Sequence, residues 1–295
     1  MPKVSIGIPV YNAQNYLSQT LESLLNQTFT DIEFIISDNG STDDTEQICL
    51  NAAARDSRVR YYRSDINNGA SWNFNRVVML SEGIYFKWAS HDDLCAPDFL
   101  KKCVEILDNE PDTILCYSNT VEIDDKNNPI KDVIVNPLLG SESPSIRFKT
   151  CWRYPPQVPV FGLMRIEKLR QTGLIGNFCS ADKVLICQLS LLGPFHGITE
   201  PLFYYRRHDQ QSTASPHPTH TSRVGWYAPE KKGKRTFPHW RILGEHIIMV
   251  TKYKLRLSER VECYLNLLYW IRISWRKLVG NLLRTDRFEW GYKRR

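Results

Sequence analysis

The sequence predicts an α/β protein: a mostly parallel sheet flanked by helices, with a helical C-terminal extension. Three observations carry this. Short apolar runs alternate with stretches of helical periodicity through residues 3–118. Polar clusters stand just past the ends of several of those runs. Beyond residue 240 the apolar positions recur at intervals of three and four.

Taken in order, Val4–Val10 alternates apolar and small residues and stops at Tyr11-Asn12, a strand running into a loop. Leu17, Thr20, Leu21, Leu24 and Leu25 keep helical spacing. A second strand, 32–36, ends in the polar run from Ser37 to Thr42. Asp43 and Glu46 pattern as a cap and its reciprocal partner, opening a helix to about Arg55. A strand at 59–62, a helix at 70–80, a strand at 84–88, a helix at 97–109 and a strand at 113–117 complete the alternation. Residues 124–145, with Pro129, Pro137, Gly140 and Pro144, read as an excursion or mobile loop, and 153–159 as irregular. Ser180-Ala181-Asp182 opens a helix that Gly193-Pro194 closes. A strand at 198–205 leads into Arg206-Arg207-His208. Residues 212–238 read as a linker, followed by helices near 240–257 and 258–283. There is no internal repeat. In sheets of this kind ligands bind beyond the carboxyl ends of the strands. Tyr11-Asn12, Asp38-Asn39 and His91-Asp92-Asp93 are therefore expected on one rim.

The 295 residues, 42% hydrophobic and 24% charged, suffice for one sizeable core, or a core plus a smaller subdomain. The eight cysteines include no C-x-x-C pair, which argues against zinc. With a first strand expected from Lys3, leaving no room for a targeting segment, they read as reduced thiols of a cytoplasmic protein. The net charge of +6 is uneven: residues 231–295 hold 17 Lys and Arg against five Asp and Glu, a net of +12, and the remainder is −6. Basic tails meet phosphate on membranes or nucleic acid. The aromatic interleaving here matches a helix face better than a base-stacking platform, so nucleic acid is not expected.

Adjacent acids at a strand end repel each other unless a cation lies beside them. Carboxylate ligands favour Mg²⁺ or Mn²⁺, which bridge to substrate phosphates. From the residues alone, Asp92 or Asp93 serves equally well as a cap for the helix near Pro97. The wider pattern is more specific. VSIGIPVYNAQNYLSQTLESLLNQTFTDIEFIISDNGSTDDT, followed by DINNGASWNFNRVVMLSEGIYFKWASHDDLCAPDFL, resembles glycosyltransferase family 2, strongly over residues 3–118 and more loosely to about 212.

That resemblance implies a GT-A fold and transfer of a sugar, mostly with inversion, from a nucleoside-diphosphate sugar, with UDP the default. Residues 1–120 would form the donor half, 121–215 the acceptor half and 216–295 a linker and basic helical extension. Pro9, Tyr11 and Asn12 match a nucleotide-contacting loop. Asp38 matches an acid that accepts a hydrogen bond from the base. Asn68, Trp72 and Asn73 match a region along the nucleoside. His91-Asp92-Asp93 aligns with the D-x-D motif, with Asp93 as the metal ligand, Asp92 in the middle and His91 in place of the first acid. Asp182 matches the general base, with Ala181 where an acid is common. His208 would close over the diphosphate or metal. Other roles remain open on the residues alone: loop packing for Tyr11, an Asx turn for Asp38, core for Trp72 and a helix cap for Asp182. Arg206 and Arg207 would balance phosphate charge or be solvated. The implied partners are the donor sugar, a divalent metal (Mn²⁺ or Mg²⁺) and a glycan, lipid-linked or other hydroxyl acceptor, in cell-surface polysaccharide or glycan synthesis.

Two further classes stay in view: a nucleotidyltransferase, although no Gly-rich phosphate loop follows the first strand, and a binding module without catalysis. For the C-terminal helices, the choices are an interfacial helix on the inner face of a membrane, packing on the body, or a homodimer contact.

Overall fold

Val4–Val10 (β1) and Ile32–Asp38 (β2) are buried along their whole length, as expected of parallel strands covered on both faces. The computed structural model describes residues 1–153, 158–209, 211, 220–232, 234 and 236–283. After β1 come α1 (Leu17–Leu25), β2, α2 (Thr45–Arg55), β3 (Val59–Arg63), α3 (Ala70–Met79), β4 (Tyr85–Trp88), β5 (Leu94–Cys95) and α4 (Phe99–Asn109). They are followed by β6 (Leu115–Ile123), β7 (Pro129–Val133), α5 (Pro144–Arg153), β8 (Leu163–Arg165), α6 (Ile166–Leu169), α7 (Ala181–Leu192) and β9 (Phe195–Arg206). The C-terminal part holds α8 (His220–Tyr227), α9 (Pro238–Lys252) and α10 (Leu257–Leu283).

The described strands form one sheet in the order β3-β2-β1-β4-β8-β6-β9-β5, with β7 paired to β6. The first four are mutually parallel. β8 then runs antiparallel to both neighbours, and β6 and β9 resume a parallel pairing. Helices pack on both faces over two apolar clusters. Gly7 sets the approach of α3 to β1, because a Cβ there would lie 2.6 Å from Val77 Cγ2. The eight cysteines are all buried, and none is in a disulfide.

Several segments differ from their sequence reading. Residues 124–145 are ordered: β6 continues to Ile123, and a turn held by Asp124 Oδ1 to the amides of Lys126 and Asn128 (2.8 Å each) leads into β7. β7 is an exposed edge strand, so it lacks the alternation that marks a half-buried one, and Pro129 is tolerated at its start. Pro144 occupies the first turn of α5, where its missing N–H costs nothing. Of the expected linker, 212–219 lies outside the described residues, but α8 and a 3₁₀ turn at Pro229–Lys231 follow, and Pro238 opens α9. In 153–159, residues 154–157 are outside the description and Pro159–Phe161 is a 3₁₀ turn. The expected Asp43–Glu46 cap is not made. Asp43 accepts from the amides of Thr45 (3.1 Å) and Gln14 (3.2 Å), and Glu46 pairs with Arg63 at 3.3 Å.

α9 and α10 form an antiparallel pair packed on α5 and α7. Trp240 Nε1 donates to Leu278 O (2.9 Å) near one end, and the Thr251 and Tyr264 hydroxyls meet at 2.9 Å near the other. His246 is enclosed between Phe148 of α5 and Trp270 of α10, with ring centroids 5.6 and 5.7 Å away. Burial alone brings its pKa down to about 4. His239 on the same helix also falls to about 4, through burial and then the Lys277 charge. Both stay neutral in the fold, whereas the unfolded chain takes up protons below about pH 6.5. Stability present above that pH is thus lost as pH falls toward 4. Between about pH 7 and about pH 5, His246 accounts for roughly 2 kcal/mol of destabilisation. Thermal unfolding at the two pH values should show this loss, and His246→Phe should remove most of its share.

Candidate active site

The strands β1, β2 and β4 deliver their carboxyl ends to one rim. Past Trp88, the Ala89 amide still pairs with Gly7 O (2.9 Å), and the chain then turns through Ser90–Asp93. Two distant elements hold this turn. The Thr20 hydroxyl of α1 lies 3.0 Å from His91 O and 2.9 Å from Asp93 O. At the end of β9, the Arg206 amide donates to Asp93 Oδ1 (2.9 Å), and its Nε donates to Asp92 O (2.7 Å). The Arg206 side chain is fully buried, lies 4.7 Å from the Tyr16 ring and donates to Asn127 Oδ1 (2.6 Å) and Gln19 Oε1 (3.2 Å). It is buried rather than solvated, and it fixes the acidic turn. Arg207 instead pairs with Glu122 at 2.5 Å. Arg206→Lys keeps the charge but loses the forked donors. We expect it to lower the melting temperature, as read by thermal unfolding.

The two acids have different surroundings. Asp92 Oδ2 lies 2.9 Å from His208 Nε2, and Asp92 Oδ1 accepts from the Ser90 hydroxyl. Burial opposes ionisation of Asp92, but the His208 hydrogen bond, nearby His91 and Ser90 outweigh it and bring its pKa down to about 2. Asp93 binds the Arg206 amide through one oxygen, and its other oxygen is buried without a hydrogen-bond partner. Burial and then the Asp92 charge push its carboxyl well above the usual range, against the opposing Lys87 and Arg206 charges. Neither acid caps the next helix; Asp98 holds the N-cap position of α4.

A divalent ion fits Asp92 and His208, a carboxylate oxygen and an imidazole nitrogen already converging, with His208 Nδ1 also buried and unbonded. No cluster of three or more His, Cys, Asp or Glu side chains suited to a metal occurs among the described residues. An ion there would take its remaining ligands from water and diphosphate oxygens, the usual Mg²⁺ and Mn²⁺ arrangement. Of the expected ligand Asp93, one oxygen accepts from the backbone of β9 and the other is left without a hydrogen-bond partner.

Among the residues expected at the donor, Pro9 is buried at the end of β1, while Tyr11 is 42% exposed. Asn12, at φ 49°, ties the first loop to the second: its amide donates to Ser41 Oγ (3.0 Å), and its Oδ1 accepts from Thr42 N (2.9 Å). Asp38 does not present its carboxylate outward. It is fully buried, accepting from Ser41 N and Tyr61 OH at 2.9 Å each, with Arg63 Nε at 3.6 Å. Asn73 is likewise turned inward, donating to Ser37 O (2.9 Å) and Val10 O (3.2 Å), and so joins α3 to the ends of β1 and β2. Asn68 is half-buried, its amide donating to Asn39 Oδ1 at 3.0 Å. Trp72 is 39% exposed, with the Arg76 guanidinium 4.9 Å from its ring.

Asp182 is half-buried in the first turn of α7, behind Ser180 at φ 66°; the helix shows no side-chain cap. The loop before it is stapled to α3 by Ser71 Oγ (2.6 Å) and Asn75 Nδ2 (2.9 Å), both donating to Ile175 O. The first turn of α3 in turn adjoins Asn68 and Gly69. A Cβ on Gly69 would lie 2.5 Å from Pro229, so the turn after α8 also packs against this rim. Tyr16, Gln19, Thr20 and the α8 turn were not singled out by sequence; Thr20 was visible only as a member of a helical stripe.

A half-parallel, half-mixed sheet with an acidic turn at its carboxyl rim, facing a histidine from the last strand, is the architecture of a GT-A glycosyltransferase. Residues 5–173 match the family model described as Glycosyl transferase family 2. The chain belongs to that family. Chondroitin synthase of Escherichia coli is 36% identical over 142 residues, covering 48% of this chain but 21% of that protein. An uncharacterized glycosyltransferase of Haemophilus influenzae is 36% identical over 132 residues, 44% of this chain and 52% of its own. The chain thus spans about a fifth of the former and half of the latter. Among solved structures, S. aureus TarS 1-349 in complex with UDP-GlcNAc superposes with TM-score 0.69 at 14% identity, over 97% of this chain and 81% of that one. The mannosyltransferase PcManGT of Pyrobaculum calidifontis, in complex with GDP-Man and Mn²⁺, gives 0.55 at 14%, over 96% and 87%. These two likenesses support the fold.

Proposed function

We propose that the chain transfers a sugar from a nucleoside-diphosphate sugar, with UDP the first base to test, to an acceptor hydroxyl on a glycan or lipid-linked carrier. Inversion, and a place in glycan or cell-surface polysaccharide assembly on the cytoplasmic side, complete the reading and rest on the resemblance. The observation that carries it is the convergence of Asp92 and His208, 116 positions apart, at the carboxyl rim of the sheet. The complexes of TarS with UDP-GlcNAc and of PcManGT with GDP-Man and Mn²⁺ support a donor and a metal of this kind.

In this reading Asp92 and His208 hold Mn²⁺ or Mg²⁺. The bound ion would supply charge neutralisation for the departing diphosphate. Exposed Tyr11 and Trp72 and half-buried Asn68, with the backbone of Pro9 and Asn12, receive the nucleoside. Asp38 and Asn73 fix the loops beneath it. Asp182 takes the proton from the acceptor hydroxyl as that oxygen attacks the anomeric carbon. Residues 1–120 serve the donor, 121–215 the acceptor, and 216–295 form the extension.

Incubating the full chain with UDP- and GDP-sugars, with Mn²⁺ or with chelator, tests the reading. Release of nucleoside diphosphate from at least one donor, dependent on metal and lost in Asp92→Ala, is the expected result. Failure of every donor to bind or to release diphosphate overturns it.

A further inference from the structure

The outer face of α10 is apolar. Its buried stripe runs through Cys263, Leu267, Trp270, Ser274 and Leu278. On the opposite side stand Val261, Leu265, Leu268, Trp275, Val279 and Leu283, between 39% and 66% exposed. A surface helix normally turns its charged residues to that side. Exposed Ile247 and Ile248 of α9 extend the face across the contact between Thr251 and Tyr264.

Its cations are Arg272 and Arg276, one turn apart and both exposed. Arg276 lies 5.5 Å from the Trp275 ring, and among the described residues neither arginine pairs with a carboxylate. Among the described residues the acids nearest in sequence are already engaged, Glu259 by Arg256 and Glu262 by the Ser145 hydroxyl. The face therefore combines apolar side chains with two cations that, among the described residues, pair with no carboxylate.

That composition selects its occupant. A second copy docked by two-fold symmetry would put both copies' Arg272 and Arg276 into one interface, where the described residues supply no unengaged acid to meet them. An anionic bilayer instead offers lipid phosphates to the arginines, acyl chains to the leucines and valines, and a headgroup layer suited to Trp275 and Tyr264. No helix among the described residues is long and apolar enough to cross a membrane, so the contact is one of lying on the surface. We propose that the α9–α10 face docks the protein on an anionic membrane, with the 27-residue α10, about 40 Å long, in the plane of the interface. The proposal stands apart from the identity of donor and acceptor.

The test is flotation of the full chain with vesicles of equal parts phosphatidylglycerol and phosphatidylcholine, against phosphatidylcholine alone. Binding to the anionic vesicles only is expected. Arg272→Gln with Arg276→Gln should weaken it about thirtyfold, the paired Lys variants should retain it, and Leu268→Ser with Trp275→Ser should lose it. These side chains are exposed, so thermal unfolding and release of diphosphate from the donor should stay as in wild type. No flotation of the wild type, or equal flotation of Leu268→Ser with Trp275→Ser, overturns the proposal. Equal binding to neutral vesicles does so too, as does a concentration-dependent dimer that the Leu268→Ser, Trp275→Ser variant abolishes.

Discussion

Asp92→Ala should abolish sugar transfer, lowering kcat by about a thousandfold or more, whereas Asp93→Ala should act chiefly on stability. The contrast follows from where the two neighbours point. Asp92 faces His208 at 2.9 Å, so its removal leaves the proposed metal site with one protein donor. Asp93 accepts the Arg206 amide in the interior, and alanine there leaves a buried N–H without a partner, a cost of about 1–3 kcal/mol. His208→Ala should resemble Asp92→Ala in kind, with a loss of about a hundredfold. Titration with Mn²⁺ alone, beside thermal unfolding, separates the cases. Asp92→Ala and His208→Ala should lose metal affinity while the fold holds, and Asp93→Ala should lower the melting temperature first. Undiminished transfer by Asp92→Ala would remove that residue from the mechanism.

This division was not legible in the sequence, because adjacent residues on a turn can face opposite ways and only tertiary partners decide which. The rim itself was legible. β1, β2 and β4 are apolar runs ending in polar clusters, and the parallel order places those ends together. What escaped were elements too short or too exposed to leave a pattern. β8 is three residues and β5 two, yet β8 is what turns the sheet from parallel to mixed. β7 is an outer edge strand with four exposed residues in five, so nothing in its composition separates it from a loop. Arg206 shows the same limit in the site: an arginine after a strand reads as solvated until the Tyr16 ring, Gln19 and the 124–127 turn are seen to enclose it. Asp38 and Asn73 were found as polar residues at the right places, but both spend their side chains on the loops and strand ends.

Asp182→Asn should separate the two halves of the reaction. Asparagine keeps the size of the side chain but cannot accept a proton, so transfer to an acceptor should fall by about a hundredfold to ten-thousandfold. Donor and metal binding should be unchanged, because Asp92, His208 and the first two loops are untouched. Stability should change little. No side-chain hydrogen bond caps α7, so Asp182 contributes there mainly through its charge at the helix N-terminus, about 0.3–1 kcal/mol. If Asp182 were only a helix-terminal charge, the variant would transfer sugar at the wild-type rate with a slightly lower melting temperature. The proposed base role requires the reverse: a nearly intact melting temperature, an intact affinity for the nucleotide, and a collapse in kcat with the acceptor. The loop entering α7 is tied through Ile175 to α3, and α3 begins at the donor rim. That tie gives the proposed base a fixed position relative to the proposed donor site, which is why its loss should show in the transfer step alone.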